Sequence, residues 1–378
     1  METTVLIVGA GPAGLAMSVC LSNILVSNIM LEKEDCHASL WKRRSYNRLH
    51  LHLAKEFCEL PYMPHLPETP TFMPKETFID YMDKYVREYN LSPLFSRYVV
   101  SASFDQVLRK WIVEAENSIS GEIERYVAKF LVVATGENSS PYIPRVPGLD
   151  SFSGSLIHSS QYKNGSEYEG KNVLVVGSGN SGMEISLDLS NYGARPSIVI
   201  RSPFHVVTRE MIYRGMRLLK YLPLSVVDAL VGLETRIEYG DLSPFGIDRP
   251  SDGPFTHKLL TGKTPVIDVG TVKKIRSGEI QVVPEMIEVT QDKVEFKNGT
   301  KQHFDAIVFA TGYKSVAKDW LKDYSFIFND DGMPKNSFPS HWKGENGIYC
   351  IGFSRNGILG ITNDAKNVAN DISMNLGA

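Results

Sequence analysis

Thr4-Val-Leu-Ile-Val-Gly-Ala-Gly-Pro-Ala-Gly14 is an apolar, β-branched run that empties into a Gly-x-Gly-x-x-Gly turn. The run reads as a buried strand, and the residues after the turn, to about Asn23, read as a helix. A second apolar strand, Asn28-Ile-Met-Leu31, ends on Glu32, 18 residues past the last glycine. Strand, glycine turn, helix and acid-terminated strand together make a βαβ dinucleotide-binding unit. Glycines let the backbone approach a pyrophosphate where a Cβ would collide, and the helix N-terminus supplies N–H groups and the positive end of its dipole.

A near copy begins 168 residues later. Asn172-Val-Leu-Val-Val176 enters Gly177-Ser-Gly179-Asn-Ser-Gly182, and Ser197-Ile-Val-Ile-Arg201 follows the intervening helix. Each copy carries a further echo: Phe130-Leu-Val-Val-Ala-Thr-Gly136 after the first, Ile307-Val-Phe-Ala-Thr-Gly312 after the second. Paired signals at matched offsets predict two related nucleotide-binding domains. Pro141, Pro144, Pro147 and Gly148 punctuate a linker between them. Tyr98–Phe104, Lys110–Glu116 and Ile123–Val133 read as strands of a meander. Ile280–Val283, Met286–Thr290 and Val294–Lys297 read as a similar set, with a hairpin turn at Asn298-Gly299. A last strand, Gly347–Ile351, leads to a helix from Thr362 to about Met374.

The expected fold is therefore α/β, with two Rossmann-like dinucleotide-binding domains, the second inserted into a discontinuous first. The boundaries expected are 1–150 for the first part of the first domain, 151–304 for the second domain with its helical insertion, and 305–378 for the return segment.

Composition narrows the classes. A chain of 378 residues, 43% hydrophobic and 22% charged, can bury a large core without disulfides or structural metal. Forty basic against forty-three acidic side chains leave −3, which gives no reason to expect nucleic acid. Cys20, Cys36, Cys58 and Cys350 form no Cys-x-x-Cys, so a zinc ribbon and a local dithiol pair are disfavoured. Scattered thiols fit a reducing compartment, and the expected location is cytoplasmic. Glu2 stands where a signal peptide needs positive charge. The apolar stretch Met216–Leu233 is interrupted by Lys220, Pro223 and Asp228, so it reads as helices lining a core or substrate channel, not an integral membrane segment.

The residue ending each second strand separates the two ligands. Glu32 can accept from both ribose hydroxyls of an adenosine and would repel a 2′-phosphate; Arg201 has the opposite preference. The first unit thus suits FAD, with Gly9, Gly11, Pro12, Ala13, Gly14, Glu32 and Lys33 as contacts. The second suits NADPH, through Gly177, Gly179, Asn180, Ser181, Gly182, Arg201 and Ser202. Leu40, Trp41, Thr135 and Gly136 are candidate flavin neighbours, and Ala310, Thr311 and Gly312 hold the matching place in the second unit. FAD with NADPH leaves three enzyme classes. A disulfide reductase needs a redox cysteine pair, and an electron-transfer reductase needs a partner or cluster ligands; a flavin monooxygenase needs neither.

Phe152-Ser-Gly154-Ser-Leu-Ile-His158-Ser-Ser-Gln-Tyr162 fits Phe-x-Gly-x-x-x-His-x-x-x-Tyr directly before the second unit. This resembles the fingerprint of class B flavin-containing monooxygenases; the related Baeyer–Villiger enzymes carry Trp at the last position. Gly177–Leu189, Gly262–Gly270, Phe309-Ala-Thr-Gly-Tyr313 and His341-Trp-Lys-Gly-Glu345 look like the plant YUCCA branch. Ser39-Leu-Trp-Lys42 and Leu49-His-Leu-His-Leu53 are similar to its flavin-ring loop. The match covers nearly the whole chain. It implies FAD- and NADPH-dependent oxidative decarboxylation of indole-3-pyruvate, an aromatic 2-keto acid, to indole-3-acetic acid with O₂, through a flavin C4a-peroxide. The alternative within the class is oxygenation of a soft sulfur or nitrogen nucleophile, or uncoupled NADPH oxidation. Ala54 stands where most of the branch has proline, and Gly360-Ile-Thr-Asn-Asp-Ala365 departs from the usual small-residue run.

By that resemblance, His52 holds the position of an asparagine found near the flavin's reactive carbon in other members. It is expected to position or stabilise the peroxide, with Lys55 stabilising the oxyanion or flavin. His158 is expected to be a hinge or nucleotide-ordering residue, and Glu184 to face helix-side partners. Phe204, Tyr213, Phe245, Phe255, Arg209 and Arg214 are the unranked candidates for a substrate's apolar walls and cationic clamp.

Overall fold

The computed structural model describes residues 1–377, which fold as two units. The first comprises 1–43, 55–140 and 313–377; the second comprises 44–54 and 141–312. The divisions thus fall at 140/141 and 312/313 and not at 150 and 304, and residues 44–54 join the second unit. The reason for the later C-terminal boundary is the strand Ala306–Phe309, fully buried in the second unit's sheet. Its echo motif belongs with the second glycine turn, as the matched offsets implied.

In the first unit, β1 (Glu2–Val8) lies between β2 (Asn28–Leu31) and β5 (Ile123–Val133), parallel to both. The eleven residues of β5 serve two neighbours in succession within one six-stranded sheet. Ile123–Ala128 pair antiparallel with β4 (Lys110–Asn117), which pairs with β3 (Arg97–Asp105); Val127–Val133 run beside β1. The late strand β18 (Ile348–Cys350) returns parallel to the end of β5. The predicted meander and return strand are therefore present. One face packs Leu6, Val8, Leu31, Trp111, Tyr126 and Leu131 into a single core. Helix α1 (Pro12–Asn23) follows the first turn, α2 (Ser39–Arg43) and α3 (Lys75–Glu88) come next, and α10 (Gly357–Leu376) closes the chain, starting earlier than its apolar pattern predicts.

The second unit is a five-stranded, wholly parallel sheet. Its order is β12 (Gln281–Val283), β9 (Arg195–Val199), β8 (Asn172–Val176), β16 (Ala306–Phe309), β7 (Ser155–His158). Strands buried on both faces read as unbroken apolar runs, which is what β8 and β16 show. The first strand of the second predicted meander, 281–283, joins this sheet; the antiparallel set is β13 (Met286–Thr290), β14 (Lys293–Phe296) and β15 (Lys301–His303). Helix α4 (Asn180–Asn191) follows the second turn. A helical insertion, α5 (Arg209–Leu218), α6 (Leu224–Tyr239) and α7 (Pro254–Thr261), is bracketed by the parallel pair β10 (Val206–Val207) and β11 (Val266–Ile267). Pro223 breaks the 216–233 stretch into α5 and α6, whose inner faces pack Met211, Ile212, Val227 and Val231 together. Among the described residues no helix is long and apolar enough to cross a membrane.

Candidate functional site

The two glycine turns match closely in backbone geometry. Gly9 and Gly177 open them at φ +109° and +115°, a region L side chains rarely adopt. A Cβ on Gly9 would stand 2.6 Å from the Ala134 carbonyl oxygen, and one on Gly177 would stand 2.5 Å from that of Ala310. The Ala-Thr-Gly echoes are thus the walls against which the turns close, and both alanine N–H groups bond back to the turn-side strands at 2.9 Å. A Cβ on Gly14 or Gly182 would lie 1.8 Å from the carbonyl oxygen of Gly9 or Gly177, so the helix can sit this close only as glycine. Gly11 and Gly179 differ in kind. Both are helix N-caps in extended geometry, with φ near −74° and ψ near −176°, and a Cβ on either would meet nothing within 4 Å. The space over those N-termini is an open cradle, and neither helix has a capping side chain or an acid in its first turn. The N–H groups of Ala13, Gly14, Ser181 and Gly182 are left to an outside anion, which is the chemistry of a dinucleotide pyrophosphate. Pro12 pre-sets the first turn of α1, and its missing N–H costs nothing there.

Glu32 directly follows β2 and is 6% exposed, accepting the Ala10 N–H at 2.7 Å and the Glu34 N–H at 3.0 Å. Burial raises its carboxyl above the usual range, against the lowering effect of those two bonds. A buried acid with lone pairs to spare suits ribose hydroxyls. Lys33 beside it is exposed. The Thr135 Oγ1 is buried and has no hydrogen-bond partner, an orphan that a flavin group could satisfy. Gly136 and Gly312 turn at φ +74° and +80°. Leu40 and Trp41 lie half-buried on α2, with the indole edge-on to Phe78 at 4.7 Å.

In the second unit, Arg201 is 73% exposed, its guanidinium 3.7 Å from Glu285, and Ser202 is half-buried beside it. Asn180 is turned to another use as well: its Oδ1 accepts the Ile267 N–H at 2.7 Å and so pins β11 at the end of the insertion. The Thr311 hydroxyl donates to the Tyr142 carbonyl. The fingerprint residues are structural clasps. Gly154 passes the Asp305 carbonyl where a Cβ would sit 2.4 Å away, His158 is 1% exposed with Nε2 3.0 Å from the Gly312 carbonyl, and the Tyr162 hydroxyl donates to Asp188 at 2.7 Å. Burial holds the His158 imidazole below its usual pKa.

Residues 44–54 bring His52 to α4, where its Nε2 lies 3.1 Å from Oε1 of Glu184. Tyr46 donates to the other oxygen of Glu184 at 3.1 Å. Burial, and then the negative charge of Glu184, push the Tyr46 phenol well above its usual pKa. Leu53 packs on the core of the helical insertion. Lys55, in the first unit, donates to the carbonyls of Leu66, Pro67 and Thr69 at 3.0, 2.7 and 2.8 Å. Those bonds occupy all three ammonium donors, an arrangement that clamps the 66–69 loop. Of the candidates for a substrate's walls and clamp, Arg214 is exposed and paired with Glu234 at 2.7 Å, while Phe255 packs into the insertion core.

Sequence reasoning left Tyr46, Glu184 and Asp188 without a role in the site. The available signal was two acids one helical turn apart in the otherwise uncharged Met183-Glu-Ile-Ser-Leu-Asp-Leu189. Among the described residues, no group of three or more His, Cys, Asp or Glu side chains could hold a metal ion.

The profile of the FMO-like, flavin-binding monooxygenase-like family matches residues 2–364. The probable indole-3-pyruvate monooxygenase YUCCA10 of Arabidopsis thaliana is 58% identical over 373 residues, 98% of this chain and 97% of the relative. The indole-3-pyruvate monooxygenase YUCCA6 of the same plant is 46% identical over 97% of this chain and 89% of its own. Among solved structures, a flavin-containing monooxygenase from Stenotrophomonas maltophilia superposes with a TM-score of 0.74 at 20% identity, covering 99% of both chains. A cyclohexanone monooxygenase from Rhodococcus bound to NADP⁺ gives 0.75 at 16% identity, covering all of this chain and 85% of its own. Matched turns, echoes and fingerprint on one side, and near-full-length likeness on the other, lead to one assignment: the chain belongs to the flavin-binding monooxygenase-like family.

Proposed function

We propose that the protein is an NADPH-dependent flavin monooxygenase that converts indole-3-pyruvate to indole-3-acetic acid, the last step of an auxin synthesis. The observation that carries this reading is the duplicated glycine turn with a different terminal residue in each copy: a buried acid, Glu32, in one and an exposed arginine, Arg201, in the other. The relatives named as indole-3-pyruvate monooxygenases, alike over nearly their full length, supply the substrate.

In this reading Gly9, Gly11, Pro12, Ala13 and Gly14 hold the FAD pyrophosphate, and Glu32 with Lys33 takes its ribose end. Thr135, Gly136, Leu40 and Trp41 border its ring. Gly177, Gly179, Asn180, Ser181 and Gly182 receive the NADPH pyrophosphate. Arg201 and Ser202 take the 2′-phosphate, and Ala310, Thr311 and Gly312 wall that turn. The Glu285 ion pair leaves the Arg201 guanidinium at the surface, where a phosphate can displace a carboxylate held at 3.7 Å. When bound there, the flavin would supply the redox chemistry, namely reduction by NADPH and activation of O₂. The balance is one NADPH, one proton, one O₂ and one keto acid giving one shortened acid, CO₂, water and NADP⁺. His52 is the side chain assigned to the reacting region, where its imidazole exchanges a proton or orients the oxygen being transferred. Lys55 acts by fixing the loop its ammonium clamps. Four scattered thiols agree with a cytosolic location.

The test supplies purified FAD-loaded protein with NADPH, air and indole-3-pyruvate, and counts NADPH consumed, H₂O₂ released and acid formed by mass. Near one acid per NADPH, dependent on O₂, is the expected result. NADPH turned almost wholly into H₂O₂ would refute the substrate assignment while leaving both cofactors in place.

A further inference from the structure

Residues 44–54 come from the first sixth of the chain yet fold into the second unit, and three of their side chains end on α4. Tyr46 and His52 take the two oxygens of Glu184, each at 3.1 Å. One turn on, Arg48 stands 4.0 Å from one oxygen of Asp188, whose other oxygen accepts Tyr162. Glu184 is 1% exposed. Its neighbours Met183, Ile185, Leu187 and Leu189 are all buried apolar groups, so packing alone does not ask for an acid there. A carboxylate placed this deep is costly unless its lone pairs are met, and here the loop meets both oxygens. His52 is the partly open end of the set, with its side chain 27% exposed and Nδ1 outside any hydrogen bond. Tyr46 adds a second link, because the Ser181 side chain in the nucleotide turn lies close enough to the same phenol to draw its pKa down, against burial and Glu184.

We propose that Glu184 is the positioning residue for His52: its buried carboxylate accepts from Nε2–H, fixes the ring's orientation and tautomer, and leaves Nδ1 as the atom presented for proton exchange. The inference rests on the assignment of His52 to the reacting region. Which imidazole nitrogen carries the proton is decided by the hydrogen bond the ring makes, and a carboxylate imposes the donor tautomer toward itself. Tyr46 donates its hydroxyl proton to Glu184 with Ser181 of the nucleotide turn beside it, so loop position and nucleotide binding are coupled through this phenol. Linkage then requires that loosening either weakens the other by the same factor.

The experiment uses FAD-loaded protein with ¹⁵N-labelled histidine, comparing wild type, Glu184→Gln, Glu184→Ala and Tyr46→Phe. In wild type the His52 ring nitrogens give the Nε2–H pattern, and trypsin cuts slowly after Arg48. Glu184→Ala gives a mixed tautomer pattern and at least tenfold faster cleavage there. Glu184→Gln, which keeps size and one acceptor, retains the protection but loses the fixed tautomer. With NADPH and indole-3-pyruvate in air, both raise the share of NADPH lost as H₂O₂ at least threefold and move its pH profile. Tyr46→Phe weakens NADP⁺ binding several-fold. The proposal is overturned if the Nε2–H pattern, the H₂O₂ share and its pH profile are unchanged in Glu184→Gln. Should Glu184→Ala not fold, Glu184→Gln decides alone. Absence of acid product from wild type would sink the substrate reading, while the ring signals would still decide the role of Glu184.

Discussion

Gly179→Ala and Gly182→Ala differ by three residues in one turn and should fail in opposite ways. At Gly182 the new methyl would stand 1.8 Å from the Gly177 carbonyl oxygen, with the Gly177 carbonyl carbon 2.8 Å away. Backbone on both sides must part by more than about 1 Å, an overpacking of the kind that costs about 3 kcal/mol or more. For a protein of 378 residues that is a fall of about 4 °C or more in Tm. At Gly179 the methyl meets nothing within 4 Å, and φ −73° with ψ −177° is extended backbone open to alanine. The weaker N-cap costs about 0.5–1 kcal/mol and the stiffer unfolded chain returns about as much, so the fold should change by about 0.5 kcal/mol or less. Its methyl, however, occupies the cradle over the α4 N-terminus. Displacing the pyrophosphate from one charge-assisted N–H bond loses about 1.5–3 kcal/mol, or about 10- to 150-fold in affinity. Thermal unfolding of the FAD-loaded variants without nucleotide, followed by calorimetric titration with NADP⁺, separates the two effects. Wild-type NADP⁺ affinity in Gly179→Ala, or a wild-type melting point in Gly182→Ala, would refute the assignment of the turn.

Arg201→Ala should cut the preference for NADPH over NADH by about tenfold or more, through loss of one charge-assisted phosphate contact; equal kcat/KM ratios before and after would remove Arg201 from the site. Lys55→Met should lower Tm by a few degrees, because three carbonyls lose a shared cation, and should leave the H₂O₂ share of NADPH turnover close to wild type; a large rise in that share without a change in Tm would return Lys55 to the chemistry. Burial holds His158 and His205 below the ordinary value of 6.5, so both stay neutral in the fold while the unfolded chain takes up protons. The stability they permit is therefore complete above pH 6.5 and is lost as the pH falls, by up to about 1.4 kcal/mol per unit for each ring. Melting curves at pH 7.5 and 5.5 should show a smaller difference for His158→Gln than for wild type; identical differences would mean that His158 takes no part.

Much of the fold was legible because its signals are local. Thr4–Gly14 and Asn172–Gly182 each contain strand, turn and helix start in eleven residues, and the meander strands alternate as strands should. The echo motifs were visible as a repeat, but their meaning was not: that Ala134 and Ala310 carbonyls wall the turns is a contact across more than 120 residues. The membership of 44–54 was illegible for a similar reason. Nothing in Arg44–Ala54 announces that its partners are acids some 140 residues away on α4. Lys55 shows the limit of carrying a role across by position. A lysine beside a proposed reacting group reads as a charge for the chemistry until its three carbonyl partners are seen.

The excursion of 44–54 also bears on how such enzymes can be recombined. The chain passes between units at four places, 43/44, 54/55, 140/141 and 312/313, so the nucleotide unit is not a cassette bounded by its own two ends. A chimaera that exchanges 141–312 with a relative would bring a foreign α4 to the host's Tyr46, Arg48 and His52, and any mismatch would strand Glu184 or Asp188 as an uncompensated buried acid. Grafts that carry 44–54 together with 141–312 keep donor and acceptor from one lineage, and the segment too small to be counted as a module is the one that decides whether the larger piece can travel.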